Sequence, residues 1–303
     1  MEWEFELLAG PYGGIAEGPA WDGQALLFTV ILKSLILRFD PATDAVTEHR
    51  TGTNRTNGLI FDSKGSLYGC SAGGRFVVRF EDDGRTTLIA DRLDGKRLNT
   101  PNDLALDLQG RVWFTNPWNE SNIDPDESME MDHQEVLRAD PQPDGTWSVK
   151  RMTYDTTKTN GILMSQDERV LYVVQSDSQM GRLRDLRAYP IKADGSLGAH
   201  TVLHQFGEDH RGTHRGIDGM CFDSDGNIVA TAGWRQAGPG PMIYVFAPSG
   251  RVLETHPLPV DQPTNCTFGD ADLSSLYVTT LDGHLLRARN TGRRGWHLWP
   301  PAG

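Results

Sequence analysis

The chain has 303 residues and a formal net charge of −12, from 29 basic and 41 acidic side chains. Such an acidic surface repels phosphate backbones and anionic lipid, so the composition argues against nucleic acid and membrane surfaces as partners. The first residues lack a basic segment followed by an apolar one, and no apolar stretch is long enough to cross a bilayer, so we expect a cytoplasmic protein.

One short pattern recurs six times along the chain. Each copy begins with a polar residue, continues with a short apolar run, and carries Asp or Ser five positions after its first residue. Successive copies begin 40 to 58 residues apart, at Glu17, Asn57, Asn102, Asn160, Asp218 and Asn265. Internal repeats of this length are typical of propellers, solenoids and repeat arrays.

Each copy is predicted to form a strand, a turn and a second strand. The first copy reads EGPAWDGQALLFTV, and later turns read SKGS, LQGR and SDGN. The segments between copies, such as VVRFEDDGRTTLIA, supply two further strands joined by a hairpin. Four strands in about fifty residues, repeated six times, predict an all-β, six-bladed β-propeller that forms a single domain over residues 1–303. We expect WEFELL near the N-terminus to pair with HLLRARN and close the ring.

The first residue of every copy is a candidate ligand. The first strand of each propeller blade lines the central channel, so these six residues converge at one mouth. All six side chains offer an oxygen, which suits calcium or magnesium better than zinc. Two alternatives remain open: Asn or Asp before Gly is also ordinary turn chemistry, and water fills the channel of several propellers.

Five stretches of the chain resemble those of a known family. They are EGPAW at Glu17, NTPNDLALD around Asn102, KTNGI around Asn160, GIDGM around Asp218 and PTNCTFGDAD near Asn265. In this order they resemble the gluconolactonase, regucalcin (senescence marker protein) and luciferin-regenerating enzyme family. The resemblance implies a six-bladed propeller with one divalent metal ion in its channel, most often Ca²⁺, with Mg²⁺, Mn²⁺ or Zn²⁺ as alternatives.

The resemblance also implies roles for individual residues. Glu17, Asn160 and Asp218 are expected to bind the metal, with Asn102 close by as a further ligand or a substrate contact. Asp218 matches the family's catalytic carboxylate. It implies Asn99, Thr100, Asn102 and Glu120 as substrate contacts. From their own places in the sequence we add Asn57, a leading residue of the repeat, and His214, just before GIDGM.

The chain departs from the family pattern at three places. Asn116 stands in FTNP where relatives often read FTDP, and Thr100 stands where regucalcin-like members often have arginine. Residues Asn119–His133 form a long acidic segment that we expect to act as a lid and narrow the range of substrates.

These residues favour hydrolysis of a small lactone. A divalent ion would polarise the ester carbonyl, and Asp218 would take a proton from the attacking water. A phosphotriesterase activity like that of diisopropylfluorophosphatase is a first alternative, and a non-catalytic propeller scaffold is a second. The three cysteines, Cys70, Cys221 and Cys266, are expected to be buried reduced thiols.

Overall fold

The computed structural model describes residues 2–177 and 179–299. Strands in the first half of the chain are β1 (Phe5–Ala9), β2 (Ala16–Trp21), β3 (Leu26–Val30), β4 (Leu35–Asp40), β5 (Ala45–Arg50), β6 (Thr56–Phe61), β7 (Leu67–Ser71), β8 (Phe76–Phe80), β9 (Thr86–Ala90), β10 (Arg92–Leu93), β11 (Lys96–Arg97), β12 (Leu104–Leu106), β13 (Val112–Thr115), β14 (Val136–Pro141) and β15 (Trp147–Arg151). Those in the second half are β16 (Thr159–Met164), β17 (Val170–Ser176), β18 (Arg184–Pro190), β19 (Thr201–Gln205), β20 (Glu208–Asp209), β21 (Gly212–Thr213), β22 (Ile217–Asp223), β23 (Ile228–Ala232), β24 (Met242–Phe246), β25 (Val252–Pro257), β26 (Pro263–Gly269), β27 (Ser275–Thr280), β28 (Leu285–Ala288) and β29 (Gly295–Trp296). The helices within the described ranges are single 3₁₀ turns at Ile31–Lys33 and Glu120–Asn122, and neither could cross a membrane.

The strands form six antiparallel blades, as the repeats predict. Blades one to five are built from β2–β5, β6–β9, β12–β15, β16–β19 and β22–β25. Blade six contains β26–β28 and takes its outermost strand, β1, from the N-terminus, with Phe5 opposite Ala288. The predicted closure of the ring is therefore confirmed. The first strands β2, β6, β12, β16, β22 and β26 contact one another in sequence, and β26 returns to β2.

Apolar side chains fill the spaces between neighbouring blades. Every residue of β3 is buried, whereas the outer strand β5 is half-buried to exposed. Between blades six and one, Phe28, Phe39 and Tyr277 belong to one buried cluster. Since full burial of one large apolar side chain contributes about 1.5–3 kcal/mol, these contacts between blades hold the first strands in place around the channel.

The Asp that recurs in the repeat fixes the hairpin turn between the first two strands of a blade. Oδ1 of Asp62 accepts hydrogen bonds from the main-chain N–H groups of Lys64 and Ser66, both at 2.9 Å. The same arrangement recurs at Asp107 and Asp223. At Asp22 the two donors are the N–H groups of Gln24 and Ala25. This repeated acidic position is therefore a turn residue, distinct from the leading residue of each copy.

The glycines that follow the leading residues allow the first strands to approach closely. Asn57, Asn160 and Asp218 lie inside strands rather than in turns, so turn chemistry does not explain their Asn-Gly and Asp-Gly pairs. A Cβ on Gly161 would lie 2.3 Å from the main-chain oxygen of Asp218, and one on Gly219 would lie 2.0 Å from Cγ of Asn265. The strand pairing is irregular at these points, as in the bulges that re-aim side chains near functional sites.

The C-terminal segment closes the opposite face of the channel. Strand β29 pairs with the inner edge of β22, with Trp296 opposite Phe222. Beyond it, Trp299 packs against Phe61 at 5.1 Å between ring centroids. This segment covers an apolar cavity of about 170 Å³ at the lower end of the channel. One end of the channel is thus shielded, which leaves the other end as the entrance.

Candidate functional site

Five of the six leading residues line one cavity of about 290 Å³ at the open mouth of the channel. They are Glu17, Asn57, Asn102, Asn160 and Asp218. The sixth, Asn265, lies beneath them, and its Nδ2 donates a hydrogen bond to Oε2 of Glu17 at 3.0 Å. We call the six leading residues the polar ring. Each comes from a different blade, so the ring exists only in the closed propeller.

Glu17 is the most buried carboxylate of the polar ring. Its Oε2 also accepts a hydrogen bond from the main-chain N–H of Gly18 at 2.6 Å, and its Oε1 has no hydrogen-bond partner among the described residues. Burial raises the pKa of Glu17 well above its usual range, and the nearby carboxylates of Asp218 and Asp103 add to the rise. Several carboxylates therefore repel one another in a small volume of low dielectric.

Asp218 is held by an arginine that the sequence did not indicate. The guanidinium of Arg215 donates through Nη2 to Oδ2 of Asp218 and through Nη1 to the main-chain oxygen of Pro263, the latter at 2.6 Å. Burial raises the pKa of Asp218, while Arg215 and Asn160 oppose the rise. The ion pair fixes the orientation of the carboxylate, because Arg215 is itself anchored to β26.

Asp103 is a third buried carboxylate, just below the polar ring. It accepts a hydrogen bond from the main-chain N–H of Leu104 at 2.9 Å. Burial raises the pKa of Asp103 to about 7, and Asp218 contributes to the rise. The sequence carried a signal for this residue, since Asp103 occupies the position where four of the six copies have glycine.

Some predicted substrate contacts lie on the cavity wall and others do not. Asn57, Asn102 and His214 line the cavity. Asn99 is fully buried and donates to the main-chain oxygens of Asn116 and His133 at 3.0 and 2.8 Å. The structure thus places Asn99 behind the wall, where it holds main chain.

Thr100 and Glu120 also lie away from the cavity wall. The Thr100 hydroxyl donates to the main-chain oxygen of Pro117 at 2.7 Å and accepts from the N–H of Asn119 at 2.9 Å. Glu120 is exposed, whereas its neighbours Asn119, Ser121 and Asn122 line the cavity. The structure thus places Thr100 in a main-chain hydrogen-bond network and Glu120 at the surface, and their role as substrate contacts stays a prediction.

The acidic segment Asn119–His133 is attached to the rim by ion pairs. Glu127 accepts from the buried Arg75 at 2.6 Å and from Arg97 at 2.9 Å. At the ends of the segment, Asp124 pairs with Arg55 and Asp132 with Arg151. Its first residues form part of the cavity wall. Arginines of neighbouring blades thus attach the segment to the mouth, and its action as a lid stays a prediction.

Asn116, the departure from the family's FTDP, faces another carboxyl group. Its Nδ2 donates to Oε1 of Glu135 at 3.1 Å, and both side chains are fully buried. Burial raises the pKa of Glu135 to about 7. Glu135, the residue before β14, thus places a buried carboxyl beside Asn116.

The polar ring fits a hard divalent cation. Oδ1 of Asn57 is buried without a hydrogen-bond partner in the described structure. The hydrogen bonds that Glu17 accepts from the described residues both end on Oε2, which leaves Oε1 to accept. Among the described residues no group of three or more His, Cys, Asp or Glu side chains forms a metal cluster. The ring instead combines two carboxylates with carboxamide oxygens, a donor set that suits calcium.

Comparison with known proteins identifies the family. The model of the SMP-30/gluconolactonase/LRE-like region matches residues 15–282. The chain belongs to this family. It is 29% identical over 274 residues to a gluconolactonase from Zymomonas mobilis, covering 84% of this chain and 73% of that protein. It is 26% identical to a 6-deoxy-6-sulfogluconolactonase from Pseudomonas putida, covering 88% of this chain and 83% of that protein.

A solved structure shows the same architecture. The chain superposes on a gluconolactonase from Xanthomonas campestris with a TM-score of 0.78 and 28% sequence identity. The match covers 95% of this chain and 89% of that one. The six-bladed fold predicted from the repeats and the family indicated by the five matching stretches are both confirmed.

Proposed function

We propose that the protein is a metal-dependent hydrolase that opens a small sugar-type lactone, with Ca²⁺ as the preferred ion. One observation carries this proposal: Glu17 and Asp218 converge with three asparagines at the base of a polar cavity of about 290 Å³. The names of the relatives support the reaction class, since two curated relatives and the superposed structure are lactonases.

The residues of the ring divide into holding and reacting groups. Glu17, Asn160 and Asp218 would hold the cation, with Asn57 and Asn102 beside them. A divalent ion at this position supplies Lewis-acid polarisation of an ester carbonyl. Mutual repulsion between the Glu17 and Asp218 carboxylates favours such an ion, because a positive charge between them relieves it.

Asp218 is our candidate general base. Arg215 binds Oδ2 and fixes the orientation of the carboxylate, which would accept a proton from an attacking water in the cavity. A bound divalent ion would lower the pKa of this carboxyl and weaken it as a base, but the same ion would acidify the attacking water, so Asp218 needs only modest basicity. The proton then passes to the alkoxide oxygen that leaves as the lactone ring opens.

The upper wall of the cavity would orient the sugar. The amide and hydroxyl groups of Asn102, Asn119 and Ser121 can exchange hydrogen bonds with sugar hydroxyls. Trp234 supplies an aromatic surface on the same wall, and its Nε1 donates to the main-chain oxygen of Thr213 at 3.0 Å, which fixes the indole. A pre-formed wall of this kind positions the ester carbonyl above Asp218.

The experiment is hydrolysis of D-glucono-1,5-lactone by metal-stripped protein and by protein reloaded with Ca²⁺, Mg²⁺, Mn²⁺ or Zn²⁺. We expect activity only after reloading, with Ca²⁺ the most effective, and little hydrolysis of a fluorophosphate under the same conditions. Glu17→Gln should require far more Ca²⁺. Glu48→Gln is the matched control, because Glu48 is exposed on the outer strand β5. Full activity of the metal-free protein would contradict the proposal.

A further inference from the structure

Lys158 lies on the cavity wall, and its ammonium group has no partner among residues 2–177 and 179–299. It precedes strand β16, and its main-chain oxygen accepts a hydrogen bond from the N–H of Ser176 at 2.9 Å, which anchors the residue to β17. The side chain is half-buried and lines the cavity. Its ammonium group makes no hydrogen bond or ion pair with the described residues, and its charge acts on Asp218 from a longer distance.

The two arginines on the cavity lining, unlike Lys158, are engaged in hydrogen bonds and ion pairs. Arg215 is committed to Asp218 and to the main-chain oxygen of Pro263. Arg184 pairs with Glu208 at 3.1 Å and donates to the main-chain oxygens of Asp177 and Gln179. Lys158 therefore carries the positive charge of this wall that remains available to a bound molecule.

The balance of charge in the cavity favours binding of an anionic ligand. Glu17 and Asp218 are the carboxylates on its lining, and a divalent cation in the polar ring would neutralise both. The charges of Lys158 and Arg215 would then remain, so the cavity becomes positive although the whole chain is strongly acidic. A half-buried ammonium group without a partner is unfavourable unless an anion or water satisfies it.

We propose that Lys158 is a specificity-determining residue that binds an anionic substituent of the lactone, away from the reacting ester. This inference rests on the proposed function and narrows its substrate class. The substituent would be a carboxylate, sulfonate or phosphate, since each accepts charge-assisted hydrogen bonds from an ammonium group. His214 lies on the same cavity lining and can contribute a further polar contact.

The test compares lactones that differ at one position. D-Glucono-1,5-lactone carries a neutral hydroxymethyl group at C6, D-glucaro-1,5-lactone carries a carboxylate there, and the 6-phospho and 6-sulfo analogues carry the other two anions. We expect the Ca²⁺-loaded protein to prefer at least one anionic lactone by roughly tenfold or more in kcat/KM, the effect of one charge-assisted hydrogen bond. The identity of the best substrate distinguishes the three anions.

Variants then assign the preference to Lys158. Lys158→Gln should reduce the ratio of kcat/KM for anionic over neutral lactone to near one, chiefly through KM, and Lys158→Arg should retain most of it. Lys64→Gln removes the same charge from an exposed turn on the opposite face and should keep the wild-type ratio. Raising the ionic strength from about 0.01 M to about 0.15 M should lower kcat/KM for the anionic lactone more than for the neutral one.

The outcomes separate this inference from the proposed function. Hydrolysis of the neutral lactone without any preference for the anionic ones would overturn the role of Lys158 and leave the lactonase proposal standing. An anionic preference that survives in Lys158→Gln would also overturn it. Failure to hydrolyse any of the four lactones would overturn both.

Discussion

A methyl group added at Gly161 tests how closely the first strands approach one another in the polar ring. In Gly161→Ala the new Cβ would lie 2.3 Å from the main-chain oxygen of Asp218 and 3.3 Å from Cα of Gly219. Heavy atoms in ordinary contact lie about 3.5 Å apart. One strand must therefore move by roughly 1 Å, because main-chain atoms cannot rotate away as a flexible side chain does.

The expected effects follow from this displacement. Overpacking of this kind costs about 1–3 kcal/mol, and at an unfolding entropy of about 2.1 cal/mol/K per residue this 303-residue chain loses about 1.6 °C in Tm for each kcal/mol. The shift also separates Asn160 from Asp218, and a misplacement of about 1 Å costs about 10²-fold in rate. We therefore expect a Tm lower by several degrees and a loss of about 10²-fold in gluconolactone turnover at saturating Ca²⁺.

Calorimetry and a steady-state lactonase assay measure the two effects. Gly207→Ala is the control, because an added Cβ at this exposed glycine meets no atom within 4 Å. It should keep both the Tm and the turnover of the wild type. A Gly161→Ala protein with wild-type Tm and turnover would refute the close approach of β16 and β22.

Three further predictions concern the base, the rim and the lower face. Asp218→Asn should bind Ca²⁺ yet lose roughly 10²-fold or more in turnover. Glu17→Gln should instead recover its turnover at high Ca²⁺. Near-normal turnover of metal-saturated Asp218→Asn would exclude Asp218 as the base. Arg75→Met removes the buried partner of Glu127, so amide hydrogen exchange in residues 119–133 should accelerate. Selectivity among lactones should change as well. Unchanged hydrogen exchange would show that this segment of the rim does not depend on Arg75. Burial lowers the pKa of His297 to about 4, so folding favours the neutral imidazole. The contribution of His297 to stability is therefore complete above about pH 6.5, the pKa of an unfolded histidine, and is lost as the pH falls toward about 4. His297→Gln should therefore lose less Tm than the wild type across that range, and equal losses would contradict this assignment.

The fold could be predicted from the sequence because its repeats encode it directly. Each copy contains a channel residue such as Asn57, a turn residue such as Asp62 and a buried second strand, and the structure assigns each to that place. The spacing of six copies fixes the number of blades. The ring closure by β1 followed from the need to pair a leading strand that belongs to no copy.

The candidate site was only partly predictable, because some of its members lie outside the repeat. Arg215 precedes its copy and reaches Asp218 through a contact that depends on the position of β26. Asn99 and Thr100 are hydrogen-bonded to the two ends of the segment Asn119–His133, a contact between distant parts of the chain that no repeat encodes.

The sequence did not indicate that the C-terminal segment closes the lower end of the channel, for a similar reason. The residues from Gly295 to Trp299 follow the last copy and have no counterpart elsewhere in the chain, so no pattern indicated that they cross the lower face. Asp103 was different, since its signal was present as an acidic residue in a glycine position. Comparison of the copies column by column would have found it.

The position of the metal is the central claim, and a crystal structure of the protein saturated with Ca²⁺ tests it most directly. Anomalous scattering at a long wavelength identifies the ion independently of its surroundings. We predict one strong peak at the channel mouth, with oxygens of Glu17, Asn160 and Asp218 about 2.3–2.6 Å away. Only water at this position under saturating Ca²⁺, or a calcium peak elsewhere with the polar ring hydrated, would contradict the account.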